Sequence, residues 1–270
     1  VPVSLSWGVE MADDDWCISQ IAKKAGNMEL ANEYAKKAEY YKRYLDPETK
    51  MMRPVMGDGS FRTPFNPRYS SHMKSDYTEG NAFQWSFFAP HDMDNFIAAI
   101  GGKKELETRL DTLFTTSSQI DGAEASGDIT GLIGQYAHGN EPSHHMAYLY
   151  NYVGQPRKTQ ELTRRLLHEM YAPTPEGIIG NEDCGQMSAW YVFSSLGFYP
   201  VCPGSNEFAL TAPQFPKAVV RLANGRTLTV TADNPRRNVY IASVTLDGKP
   251  IDRNYITYDE LMQGGELHFA

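Results

Sequence analysis

Cysteine, long apolar runs and clustered basic residues are all scarce in this sequence, and each scarcity removes a class of function. Three cysteines in 270 residues cannot build the disulfide framework of a small stapled scaffold, although a single Cys184–Cys202 bridge stays open. No apolar stretch approaches the roughly 18–20 residues that a membrane-spanning helix needs. The 25 Lys and Arg are scattered and outnumbered by 33 Asp and Glu, for a formal net charge of −8. Without a clustered basic face, nucleic acid drops out as a partner and neutral or cationic partners fit better. The start, Val1-Pro2-Val3, has neither an initiator Met nor a signal peptide, which reads as a processed or trimmed chain. The first helix pair, with Ala and Tyr at spaced positions, invites a tetratricopeptide reading, against which no 34-residue period recurs.

What is present is enough apolar material for a sizeable core, 41% of residues, in a chain longer than the roughly 100–200 residues of one domain. Residues 10–45 read as two helices, with Leu30, Tyr34, Ala38, Tyr41 and Leu45 at steps of three and four, stopped by Asp46-Pro47. A loop rich in Gly, Pro, Arg and Asn over 51–75 is too irregular for a simple connector and is a candidate functional loop. Helical patterns resume over 76–89, 92–100, 103–114, 142–153, 155–171 and 183–196. After Gly197 the texture changes to short β-branched runs, with hairpin signals at Asn224-Gly225 and Asp247-Gly248. The expected fold is mainly α over 1–200, followed by a small antiparallel β unit over 207–270.

Three predicted helix starts share one grammar, a carboxylate, a carboxamide and an aromatic within a turn or two. They are Asp76-Tyr77-Thr78-Glu79-Gly80-Asn81 with Gln84 and Trp85, then His138-Gly139-Asn140-Glu141-Pro142-Ser143-His144-His145, then Gly180-Asn181-Glu182-Asp183-Cys184-Gly185-Gln186 with Trp190 and Tyr191. Singly, each has an ordinary explanation: Asp76 with Glu79 fits a capping box, Asp183 with Gln186 an N-cap pair, and Asn140 before Pro142 a helix start. Jointly, they suit glycosidic cleavage, in which one carboxyl protonates the leaving oxygen and a second, ionised, activates water or attacks. Trp85, Trp190 and Tyr191 are candidate flat faces for a sugar ring, with helix core as the alternative. His138, His144, His145 and His91-Asp92 leave a transition-metal hydrolase open, although adjacent His144 and His145 point to different sides of a helix.

These three motifs resemble the signatures of glycoside hydrolase family 92, the calcium-dependent exo-α-mannosidases, and the similarity runs from Asp14-Asp15-Trp16 to Gly264-Gly265-Glu266-Leu267-His268-Phe269. The resemblance implies an (α/α)6 toroid preceded by a β-sandwich, and inversion at the anomeric carbon. Residue by residue, it implies Glu79 as general acid, Asp183 as general base and Asn181 as a supporting catalytic residue. Asn140, Glu141, His144, Trp85 and Trp190 become substrate-binding candidates. Asn140 stands where α-1,2-specific members carry His, and Glu141 faces the leaving-group sugar. A hard Ca2+ ion gathers six to eight oxygens, for which Asn81, Gln84 and Glu141 are the candidate donors. The substrate implied is a mannose-containing glycan and the location secreted or periplasmic. Only about eight helices are read over 1–200, fewer than the twelve of a closed toroid, so the chain is expected to be the C-terminal portion of an enzyme whose β-sandwich and first helices lie upstream. A trehalase-like or glucosidase-like hydrolase and a non-catalytic carbohydrate-binding helical module are the alternatives.

Overall fold

The computed structural model describes residues 2–270, which divide into two compact units, one ending at Ser143 and one running from His144 to Ala270. The first unit opens on α1 (Ser4–Lys24), packed along α2 (Met28–Lys37), whose last turn tightens into a 3-10 segment, Ala38–Arg43. Asn27 caps α2 by accepting Leu30 N–H at 3.1 Å, a short polar side chain taking up one orphan amide. The irregular stretch over 51–75 leads to α3, only Ala82–Trp85. A 3-10 turn, Pro90–Asp92, then feeds α4 (Met93–Ile100), which buries Met93, Phe96, Ile97 and Ile100 at the spacing of one helix face. Next come α5 (Lys103–Thr115) and a short hairpin of β1 (Leu132–Ile133) and β2 (Tyr136–Ala137).

The second unit begins with a 3-10 segment, Met146–Asn151, all six residues buried, and continues through α6 (Pro156–Glu169) and α7 (Gln186–Leu196). One sheet pairs β3 (Phe198–Tyr199), β4 (Glu207–Leu210) and β9 (Tyr255–Thr257). The other contains β5 (Lys217–Arg221), β6 (Thr227–Ala232), β7 (Val244–Leu246), β8 (Lys249–Pro250) and β10 (Gly265–Phe269), ordered β5-β6-β10-β7-β8. Alternation does the work in β6, which buries Leu228 and Val230 between threonines; these join Leu267, Phe269, Val244 and Ile256 in one apolar cluster. Each such side chain contributes roughly 1.5–3 kcal/mol when fully buried. The helix α8 (Tyr258–Gln263) is started by a capping box between Thr257 and Glu260.

The mainly α character with a small sheet region agrees with expectation, and four local readings need correction. The pattern over 76–89 is helical only at Ala82–Trp85, because Glu79 takes a left-handed φ of 46° and Asn81 is extended, which breaks the helix before it can start. The capping box there is Asn81 with Gln84, not Asp76 with Glu79. The pattern over 142–153 forms 3-10 turns, Glu141–Ser143 and Met146–Asn151; a run buried on all sides has no polar face to impose an α period. The helix expected from Asp183 starts at Gln186 with Gly185 at the N-cap, since Asp183 and Cys184 both have positive φ. In addition, β10 pairs parallel with β6, while the other named strand pairs among the described residues are antiparallel, the long connection through α8 giving the chain room to return. Cys184 and Cys202 are thiols, so the bridge left open does not form.

Candidate active site

In the first unit the proposed acid sits at the end of a loop held from several sides. Glu79 is half-buried, in the left-handed region, between Thr78 and Gly80. The Asn140 amide donates to both the Glu79 carbonyl and Glu79 Oε2, each at 3.3 Å. Trp85 Nε1–H donates to the Thr78 carbonyl at 2.7 Å, and a Cβ at position 80 would lie 3.0 Å from that indole nitrogen. Gly80 therefore lets the chain pass over the indole. Ser75, Asp76 and Tyr77, just upstream, border a cavity of about 350 Å³ whose other walls, including Arg62, Phe65 and Tyr69, come from the irregular loop. Burial pushes the Tyr77 hydroxyl well above its usual range, with the Asp76 charge adding to it, and Tyr77 donates to the Met52 carbonyl.

In the second unit the loop before α7 carries Asn181, Glu182 and Asp183, all exposed. Gly180, Asp183, Cys184 and Gly185 all take positive φ, a setting that non-glycine residues hold only where surroundings enforce it. Glu182 is committed to the helix start, accepting Ser188 N–H and the Ser188 hydroxyl at 3.1 Å each. Asp183 and Asn181 make no side-chain hydrogen bond among the described residues. Of the three, Glu182 is thus a structural cap and Asp183 a carboxylate available to a substrate or water.

Several sequence expectations change on burial. Trp85 and Trp190 are 1% and 0% exposed, and both indoles spend their N–H internally, Trp190 on the His144 carbonyl at 2.9 Å. Tyr171 stacks on Trp190 with an interplanar angle of 3°, so neither tryptophan offers a face to a sugar; they are core. Tyr191 instead lines a cavity of about 480 Å³ with Tyr171, Ser188 and Val192. His144 is buried and its Nδ1 faces the Gln186 amide at 3.0 Å. Glu141 is half-buried in a 3-10 turn.

As calcium donors, Asn81 and Gln84 fail a test of fit. Asn81 Oδ1 accepts Phe83 N–H and Gln84 Oε1 accepts Asn81 N–H, at 2.9 and 2.7 Å, so both carboxamide oxygens are aimed at the backbone of α3. Their amino groups both go to Gln135, a fully buried residue whose role no sequence signal announced. Asn81 and Gln84 therefore do not fit as donors to a cation shell. Among the described residues no three of His, Cys, Asp or Glu converge as a metal-holding group. The imidazoles are engaged separately: His91 with Asp13 Oδ1 and the Ala38 carbonyl, His138 with the Tyr136 hydroxyl.

Residues 2–270 match the model of the glycosyl hydrolase family 92 catalytic domain. The chain belongs to glycosyl hydrolase family 92. Among solved structures, a family GH92 α-mannosidase from Bacteroides thetaiotaomicron in complex with mannoimidazole is 41% identical with a TM-score of 0.94, covering 99% of this chain and 36% of that one. A family GH92 inverting mannosidase from the same organism is 36% identical with a TM-score of 0.86, covering 100% of this chain and 37% of that one. A curated protein of Arthroderma benhamiae, described as an uncharacterized secreted glycosidase, is 27% identical, covering 99% of this chain and 35% of that protein. The chain thus spans about a third of the length of these relatives. Membership sets aside the trehalase-like and glucosidase-like alternatives. No helix among the described residues is long and apolar enough to cross a membrane.

Proposed function

We propose that the full-length protein removes terminal α-linked mannose from glycans outside the cytoplasm, with inversion, and that this chain supplies both reacting carboxyl groups. The observation that carries the reading is the likeness, over 99% of the chain, to an α-mannosidase in complex with mannoimidazole. In this reading Glu79, protonated, gives its proton to the glycosidic oxygen as the bond to the anomeric carbon breaks. Asp183 takes a proton from the water whose oxygen forms the new bond on the opposite face. Because Asn140 donates to Glu79 Oε2, the transferable proton belongs on Oε1, which gives the acid a defined direction. Asn140 and Glu141 contribute to the leaving-group side, and Asn181 flanks the base. The remaining toroid helices and the β-sandwich belong to the rest of the full-length protein, and the secreted relative supports the location. Calcium, for which Glu141 stays a candidate donor while Asn81 and Gln84 do not fit, is a requirement to test by chelation.

The test follows mannose release from an α-mannobiose by NMR. The first-formed sugar should be β-mannose, and a chelator should abolish turnover until Ca2+ is restored. First-formed α-mannose would overturn inversion, and absence of release would overturn the function itself.

A further inference from the structure

The loop that presents Glu79 is held by a residue more than 70 positions away. Thr78, immediately before Glu79, donates its N–H to Ser6 Oγ at 2.6 Å, while its carbonyl accepts Trp85 Nε1–H at 2.7 Å. Both faces of that peptide neighbourhood are therefore clamped. Ser6 is 0% exposed, and the first turn of α1 around it is bound to the same loop: Val3 N–H donates to the Ser75 carbonyl at 2.7 Å, and Leu5 and Ser6 N–H donate to the Asp76 carbonyl at 3.1 and 3.4 Å. The Ser4 hydroxyl adds a bond to Asp76 Oδ1 at 3.1 Å. The start of α1 has no side-chain cap of its own; its orphan amides are satisfied by the acid loop, so helix and loop hold each other.

Glu79 needs such support, because a left-handed backbone at a non-glycine residue persists only when neighbours over-determine it. Glu10, one turn beyond Ser6 and on the same side of α1, marks how near that side runs to the acid. Although the residue keeps an exposed surface, its carboxyl is pushed up by burial first, then by the negative charges of Asp14, Glu79 and Asp13.

We propose that Ser6 is a positioning residue for the general acid: its hydroxyl oxygen fixes the Thr78 N–H and thereby the direction in which the Glu79 carboxyl leaves the chain. The proposal rests on the reading of Glu79 as acid. Removing the oxygen leaves a partly buried N–H without its acceptor, and the strained turn relaxes by rotating the peptide that aims Glu79. Among the described residues no hydrogen bond joins Ser6 to the Glu79 carboxyl, so in this proposal its effect passes through geometry alone.

The experiment compares Ser6→Ala and Glu79→Gln in the full-length protein on two substrates. When the C1–O bond of an α-mannobiose breaks, the departing sugar would leave as an alkoxide and needs a proton; a 2,4-dinitrophenyl α-mannoside expels a stable phenolate, which does not. Ser6→Ala should lower kcat on the mannobiose roughly 10-fold to 100-fold, with KM within about twofold, and on the dinitrophenyl substrate by less than about threefold. Glu79→Gln should show the same selectivity, more strongly. The ratio of the two substrates in one preparation is independent of how much enzyme is folded, so a merely structural role would lower both alike. Equal losses for Ser6→Ala, or none, beside a selective Glu79→Gln overturn the positioning role alone. Equal losses for Glu79→Gln remove the acid itself, and the proposal falls with it.

Discussion

Glu182 and Asp183 are neighbours with opposite commitments, and the contrast separates packing from chemistry. Glu182 uses both carboxylate oxygens on Ser188, at the first turn of α7, where a negative charge also complements the exposed amides. Asp183, one residue on and left-handed at φ 51°, keeps its carboxylate unspent. Glu182→Gln should therefore keep most of the activity of the full-length protein while lowering its unfolding temperature. Asp183→Asn should leave stability nearly unchanged and lower turnover by about 100-fold to 10,000-fold, the usual contribution of a general base. Both effects are read from paired kinetics and thermal unfolding, and the reverse pattern would make Glu182 the base. The two proposed reacting residues, Glu79 and Asp183, share the left-handed setting. Each is followed at once or at one remove by glycine, a weak signal in sequence that becomes meaningful beside the backbone geometry.

At the level of elements, the β-rich part carries an acid-sensitive joint. Glu260 caps α8 through Thr257 and pairs with Arg253, and these contacts, the Arg253 hydrogen bond foremost, hold its carboxyl down to about 2. A carboxyl held below its unfolded value adds stability that is complete above about pH 4.5 and is lost as pH falls toward about 2. The pair is a third exposed on each side, so solvent screening keeps the contribution modest. Glu260→Gln should accordingly lower the urea midpoint at pH 6 and converge on the unsubstituted protein near pH 2. A constant difference across that range would show that the cap, not the charge, does the stabilising.

For the whole molecule, α1 is the telling element. Its inner side buries Leu5, Val9 and Ala12, while its outer side exposes Trp7, Met11, Ile18 and Ile21 at 63, 58, 37 and 71%. Those outer positions lie on one side at helical spacing, interrupted by the exposed Asp14 between Met11 and Ile18, and large apolar side chains left this open suit a face that is covered in the full-length protein. With relatives about three times longer than this chain, the proposed enzyme places further helices over it. Hydroxyl-radical footprinting of the full-length protein should find Trp7 and Met11 protected. Labelling at the rate of freely exposed side chains would show that the stripe stays open and that α1 is not an interior helix of a toroid.

The sequence by itself determined whatever depends on a segment's own periodicity. Alternation placed Leu228 and Val230 inward in β6, and Asp247-Gly248, both at positive φ, turned β7 back on β8. Helical spacing likewise located α4, α5 and α6, because a one-sided apolar stripe is written locally. The long motifs around Glu79, Asn140 and Asp183 were enough to point to the family, later supported over residues 2–270. Tertiary structure alone decided who partners whom. Local pattern cannot tell a tryptophan stacked under Tyr171 from one open to a sugar, nor an amide oxygen free for calcium from one turned onto its own helix. Nor can it foresee that Ser6 would meet Thr78 across 72 positions, because the preference of a side chain for being buried is encoded where it stands, whereas the group that satisfies it arrives only when distant segments pack.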